Sequence, residues 1–246
     1  MNEVGLVWLS ECESTNDECR RRLDDPTLHA VASDHQTHGR GRRGRTWFSP
    51  RGDGLYLSII IRPHFATSAL TALPLLAGIV VAELVGALGK RAALKWPNDV
   101  LVDGKKVAGI LCESLVSGER AVAIIGIGLN LREPVDGFPE GLHATALGTP
   151  VPAITLARVL TRRLLAHVDR LPVEDPLASV VHTWQQWSLP LGTPMRQASQ
   201  AGTYAGLDRE GSLRLLTDTS EVRIHSGEVE LVALPPLPRE THAARD

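Results

Sequence analysis

Two short segments of this chain carry residue types and spacings that can do chemistry. The first, Gly39-Arg40-Gly41-Arg42-Arg43-Gly44-Arg45, sets four guanidinium groups among three glycines, on a chain whose formal net charge is -2. Neighbouring cations repel, and a glycine-rich backbone is entropically costly to order, so the run points to a polyanionic ligand that fixes it. The second is Lys95-Trp96-Pro97-Asn98-Asp99, followed by Lys105-Lys106. Asp103-Gly104 lies between them as a two-residue hairpin signal, which folds Asp99 and Lys106 onto neighbouring strands within reach of one ligand. Gly109, just beyond, marks a close backbone approach. On spacing alone, a shared ligand site and an ordinary cross-strand ion pair stand level.

The arginine run also matches G-x-G-x-x-G, but the dinucleotide fingerprint needs its third glycine to open a helix. Here Thr46-Trp47-Phe48-Ser49-Pro50 leads into a strand instead. An inert charged loop is disfavoured because surface charge normally alternates in sign. A nucleic-acid-binding module lacks both a basic face elsewhere and interleaved aromatic platforms. A phosphate-bearing small molecule fits the run better. Ser14-Thr15-Asn16 reads first as a helix N-cap and second as a set of donors for a carbonyl ligand. Gln36 offers two donors and an acceptor, and Asn130 closes Gly126-Ile127-Gly128-Leu129 at a strand end. His35 and His38 have only weak metal-ligand spacing and no third partner, so no metal site is expected.

With 246 residues and 43% hydrophobic composition, the chain has material for one large domain and a small companion. The near-neutral balance argues against a protein that coats nucleic acid. Cys12, Cys19 and Cys112 are odd in number and read as thiols in a reducing compartment. Glu3, Glu11 and Glu13 interrupt the stretch where a leader would be apolar, and the most apolar stretch, 70–88, contains Pro74 and Glu83. A cytoplasmic protein with no membrane segment is expected. Lysine occurs only at positions 90, 95, 105 and 106, every other base being arginine. A bias of the coding sequence accounts for that, yet clustered lysines also mark places where a compact ammonium is required.

These residues need a frame. Strands are expected over 6–9, 29–34 and 55–61, with a helix from a Thr15/Glu18 capping box to about Leu23 and another over 74–88. An antiparallel meander follows over 100–102, 107–111 and 121–127, with a turn at Ser117-Gly118. Helices resume over 154–168 and through Trp184 and Trp187. Beyond Pro190, five short strands over 193–197, 202–207, 212–216, 221–225 and 228–233 predict a small barrel, before a disordered tail.

The ordered set Ser14-Thr15-Asn16, Gln36-Thr37-x-Gly-Arg-Gly-Arg-Arg-Gly-Arg, Trp47, Leu55-Tyr56-Leu57-Ser58, Lys95-Trp-Pro-Asn-Asp99, Lys106-Val-Ala-Gly-Ile-Leu-x-Glu113 and Gly126-Ile-Gly-Leu-Asn130 closely resembles biotin protein ligases. The resemblance implies an α+β fold: a central mixed or antiparallel sheet flanked by helices, as in class II synthetases and biotin/lipoate ligases, and a small SH3-like C-terminal barrel. The division expected is a catalytic domain over 1–189, the barrel over 190–234 and a tail over 235–246. With no room before Leu6 for a helix-turn-helix, the monofunctional form without repressor activity is expected. The implied reaction joins biotin and ATP, with Mg2+, into biotinyl-5'-adenylate. The biotinyl group then passes to one lysine of a biotin carboxyl carrier domain, with no DNA or membrane partner and with room for a weak or ligand-linked homodimer.

By resemblance, Lys106, Asp99 and Arg42 are the catalytic set. Ser14, Thr15, Asn16, Gln36, Gly39, Arg40, Gly41, Arg42, Trp47, Lys106 and Gly109 hold biotin, while Arg40, Arg42, Arg45, Lys95, Asn98 and Asn130 hold the nucleotide. His38 departs from the small residue expected before the loop, and no aromatic residue to cover the adenine is found near Leu142-His143. A lipoate or octanoate ligase is the competing enzyme, disfavoured because that family lacks the compact Gly-Arg loop.

Overall fold

The computed structural model describes residues 4–117 and 120–232. Its main sheet has seven strands in the order β1-β2-β3-β7-β6-β5-β4: β1 (Gly5–Leu9), β2 (Leu28–Ser33), β3 (Gly54–Ile61), β4 (Ala92–Lys95), β5 (Asp99–Val102), β6 (Lys105–Ser117) and β7 (Arg120–Asn130). β1 and β2 are parallel and every other pair is antiparallel, so the sheet is mixed. One face carries helices α2 (Ala72–Ala87), α3 (Ala153–Asp169) and α4 (Pro176–Trp187), and among the described residues the opposite face carries only the short α1 (Thr15–Arg21).

The apolar run of β3 reads without alternation because both of its faces are covered. Leu57, Ile59 and Ile61 point into the large core under α2 and α3, whereas Ile60 joins Cys19, Leu28, Val31 and Ile124 beneath α1. α2 is buried on almost every side by the sheet, α3 and α4. It begins at Ala72 rather than Pro74, so the proline sits in the first turn, where its missing N–H costs nothing.

Three local expectations are corrected. The Thr15/Glu18 capping box does not form: Ser14 is the N-cap and makes no side-chain cap bond, and Glu18 turns to Arg21 and Arg22. The helix stops at Arg21, where the Arg22 N–H folds back to the Cys19 carbonyl. β4 was not foreseen, since Ala92-Ala93-Leu94-Lys95 lacks β-branched residues; its ladder with β5 supplies what propensity does not.

The second sheet contains β8 (Pro194–Gln197), β9 (Gln200–Leu207), β10 (Leu213–Leu216), β11 (Glu221–Ile224) and β12 (Glu230–Leu231), all antiparallel, in the order β11-β10-β9-β8-β12. Five short strands agree with the expectation of a small barrel-like unit, although the last is only two residues long. Met195, Tyr204, Leu213 and Leu215 belong to the same apolar core as the main sheet, so the two sheets pack as one body of side chains. Gly118 of the expected turn and the tail over 235–246 lie outside the described residues.

Candidate active site

The site is built on the face of the main sheet that α1 leaves bare. Gly126 and Gly128 alternate with apolar residues on β7, and Gly109 of β6 pairs directly with Gly128. Alternation puts these glycines on one face, where the missing side chains leave a floor of bare backbone. A Cβ on Gly128 would lie 2.2 Å from Trp47 Cε2, and one on Gly109 would lie 2.8 Å from Trp47 Cζ3 and 3.0 Å from Lys106 Cε. A Cβ on Gly126 would meet Asn16 Oδ1 at 2.6 Å. The indole of Trp47 therefore lies against the floor, its buried Nε1 having no hydrogen-bond partner among the described residues.

On one side of Trp47 stands a cluster of hydroxyls and amides. The Thr15 backbone N–H and hydroxyl both donate to Gln36 Oε1, at 2.9 and 3.1 Å, and Gln36 Nε2 donates to Ser49 Oγ at 3.1 Å. Ser58 Oγ lies 2.7 Å from Thr15 Oγ1 and 2.6 Å from Asn16 Oδ1, and Asn16 Nδ2 donates to Glu113 Oε2 at 2.6 Å. Ser14, Thr15 and Asn16 are all buried, so this is an internal polar network rather than a solvated cap.

On the other side stands a charged cluster. Lys106 Nζ lies 2.6 Å from Asp99 Oδ1 and 5.2 Å from the Trp47 ring centre, and Lys95 Nζ lies 3.2 Å from Asp99 Oδ2. The turn puts β5 beside β6, and a register shift between Val100 and Leu101 then sets Asp99 opposite Gly109 and diagonal to Lys106, which pairs with Leu101. Burial pushes the Asp99 carboxyl up, but the Lys106 and Lys95 ammoniums outweigh it and hold the group below the ordinary carboxylate range. Asn98 Nδ2 donates to the Ile110 carbonyl at 2.9 Å, and Asn98 Oδ1 lies 3.5 Å from Arg42 Nη1. Burial lowers the Arg42 pKa without threatening its charge.

The Gly-Arg loop closes at its base through Trp47 N–H to Gly39 O and Gly41 N–H to Arg45 O, with Arg40 bridging Thr46. Gly39 tolerates no side chain there, since a Cβ would lie 2.5 Å from Trp47 O. Inside is one tight 3-10 turn, Arg42–Gly44, with Arg43 in the left-handed region at φ 55°. No helix follows the third glycine, as the sequence anticipates. The arginines diverge: Arg40 binds Asp17 and Glu113, Arg42 donates to the Gly227 carbonyl at 3.2 Å, and Arg45 pairs with Glu228. Around the loop lies an open cavity of about 560 Å3, walled by residues 37–46, Leu111 and Glu113.

Most of the residues singled out in the sequence thus meet on one face. Arg45 stands apart, strongly exposed and turned toward the second sheet. Lys106 and Asp99 do not line the open cavity. Asn130 is buried behind the Lys106 backbone, its Nδ2 donating to the Thr145 carbonyl at 3.0 Å and the Lys106 carbonyl at 3.4 Å. His35 is no loose loop residue, for its Nδ1 bonds the Ser49 carbonyl at 2.7 Å. Sequence reasoning gave no role to Ser58, Glu113, Gly126 or Gly128. A lone serine in an apolar strand and glycines at every second position were the available signals. Gly227 and Glu228, far along the chain, carried none.

A glycine floor flanked by an amide cluster and a cation cluster thus lies beside an arginine loop. Comparison with known proteins places this arrangement in a family. Residues 11–130 match the biotin/lipoate A/B protein ligase family. The bifunctional ligase/repressor BirA of Bacillus spizizenii is 36% identical over 212 residues, 82% of this chain, and the chain spans only 65% of that relative's length. The biotin--[acetyl-CoA-carboxylase] ligase of Paracoccus denitrificans is 32% identical over 243 residues, covering 90% of this chain and 98% of the relative. Among solved structures, the biotin protein ligase of Aquifex aeolicus in complex with biotin and ATP superposes with a TM-score of 0.76 at 30% identity, over 92% of this chain and 98% of that one. The chain belongs to the biotin/lipoate protein ligase family.

Proposed function

We propose that this protein is an ATP-dependent ligase that activates biotin as biotinyl-5'-AMP and transfers the acyl group to one lysine of a biotin carboxyl carrier domain. The observation that carries this reading is the division of one sheet face: amides and hydroxyls at one end, Lys106 and its carboxylate partner at the other, with Trp47 on bare glycine between them. A ligand with a neutral polar head, an apolar body and a terminal carboxylate suits that order.

In the first step a biotin carboxylate oxygen attacks the α-phosphorus of ATP, the bond to the β-phosphate breaks, and pyrophosphate leaves. Two anions must approach, so the cations around them set the barrier. Thr15, Asn16 and Gln36 receive the ureido head, with Ser14 at the buried start of α1. Trp47 lies along the body against Gly109, while Gly39 and Gly41 let the loop fold close. Lys106 meets the carboxylate. Arg40, Arg42 and Arg45 turn from their protein partners to the phosphates, and Lys95 and Asn98 brace Asp99 and Arg42. Asn130, both of whose donor contacts are made within the protein, leaves its Oδ1 for the adenylate. Among the described residues no group of three His, Cys, Asp or Glu side chains is placed to hold an ion. In this reading Mg2+ would come with the nucleotide, as part of the MgATP substrate.

In the second step the acceptor lysine, as the neutral amine, attacks the acyl carbon, the carbon–oxygen bond to phosphate breaks, AMP leaves, and the surplus proton on nitrogen passes to water. A free lysine has a pKa near 10.4, so the incoming ammonium must first lose a proton to solvent before its nitrogen can attack. Asp99, held ionised by two ammoniums, suits orientation of that group better than strong basicity. A cytoplasmic location, no DNA partner and room for a weak or ligand-linked homodimer complete the reading; separately, no helix of the described residues is long and apolar enough to cross a membrane. Biotin-dependent ATP–pyrophosphate exchange tests it, with lipoate and octanoate as controls. Exchange with biotin alone is expected; exchange with lipoate or octanoate but not biotin would reassign the substrate.

A further inference from the structure

Asp17 and Arg20, on helix α1, belong to none of the motifs above, yet they stand at the root of the arginine loop. Arg40 Nη2 lies 2.7 Å from Asp17 Oδ1 and 3.4 Å from Glu113 Oε2. Arg20 contacts the same two carboxylates, at 2.8 Å on Asp17 Oδ1 and 3.3 Å on Glu113 Oε1. Glu113 is also tied to the polar cluster through Asn16 Nδ2. Two guanidiniums thus share two carboxylates, and both Arg40 and Glu113 face the open cavity.

We propose that Asp17 and Arg20 are positioning residues that set how readily Arg40 leaves the protein for the phosphates of the nucleotide, an inference that rests on the reading of Arg40 as a phosphate ligand. When Arg40 turns away, Asp17 and Glu113 lose one counter-charge. Arg20 keeps its contact with both, so the pair is not stranded as two bare anions. Asp17 pulls Arg40 back toward the protein, and Arg20 weakens that pull by drawing on the same oxygens. Two residues of one short helix therefore act on one arginine with opposite sign.

The test is steady-state pyrophosphate exchange with Asp17→Asn, Arg20→Gln and the double variant. Asp17→Asn lowers the KM for ATP about threefold and Arg20→Gln raises it about threefold, the size expected for partly exposed ion pairs. The double variant returns close to wild type. The kcat and the KM for biotin stay within about twofold in all three, and both shifts shrink as salt is raised. A purely structural role would move both single variants the same way and lower their thermal midpoints together. Same-direction shifts, or an unmoved KM for ATP, in the presence of wild-type exchange overturn this inference alone. Absence of exchange in the wild type overturns the functional reading, and this inference with it.

Discussion

The floor of the site and the loop above it are held by different kinds of force. Gly109, Gly126 and Gly128 sit in a long antiparallel ladder whose back face is the main core, and the hydroxyls and amides beside them are buried and mutually bonded. The loop is fixed by one short backbone closure and by arginines on partly exposed carboxylates and a carbonyl. Close packing against a covered core has no counterpart in solution, whereas a guanidinium exchanges one anion for another at little cost. The difference teaches which half is prebuilt and which can change partners: the floor exists beforehand, whereas the arginines are held by contacts that they can exchange for others.

Substitutions can break that contrast or sharpen it. The largest effect is expected for Lys106→Gln, which removes the ammonium from the reacting carboxylate and lowers kcat for exchange by about 100- to 1,000-fold, circular dichroism remaining native. Gly128→Ala follows. Its methyl displaces Trp47 from the floor, lowering kcat/KM for biotin about 100-fold and stability by about 1 to 3 kcal/mol, read by exchange kinetics and urea unfolding. Arg42→Ala raises the KM for ATP about tenfold, with a salt dependence weaker than that of the wild type. Were Arg42→Ala to cost more stability than Gly128→Ala, the loop would be a structural element and the contrast would fail.

Asp99→Asn separates charge from shape. The folded pKa of Asp99 lies below its unfolded value, so its stabilisation is present above the ordinary carboxylate range and is lost as pH falls through the depressed pKa. Urea unfolding should find the variant about 2 kcal/mol less stable than wild type at pH 7, the gap closing on acidification below about pH 4. A gap that is constant with pH would mean that the carboxylate is not paired in solution. The smallest effect belongs to Arg43→Ala: this residue is exposed, its side chain makes no hydrogen bond or ion pair among the described residues, and exchange should change less than about twofold.

Much of this was legible in the sequence, for physical reasons that differ by region. The hairpin at Asp103-Gly104 fixes which strands neighbour one another, so the meeting of Asp99 and Lys106 was legible from turn chemistry, whereas the register shift that sets Asp99 opposite Gly109 was not. The apolar run of β3 announced a strand covered on both faces. β4 was hidden because its pairing, not its residues, makes it a strand. The Thr15/Glu18 pair misled because the Thr15 hydroxyl is claimed by Gln36 and Ser58, long-range partners that outcompete a local cap. The Arg42 contact with Gly227 spans 185 residues, that of Arg45 with Glu228 is of the same kind, and no local pattern encodes them.

The central claim is that this site makes an acyl-adenylate and hands it to a lysine. Its most direct measurement is a single turnover with biotin and ATP labelled at the α-phosphate, followed by addition of a biotin carboxyl carrier domain. Labelled biotinyl-5'-AMP should accumulate on the protein and chase to free AMP as the carrier gains one biotinyl amide. Release of labelled ADP, or an adenylate that the carrier cannot discharge, would contradict the account.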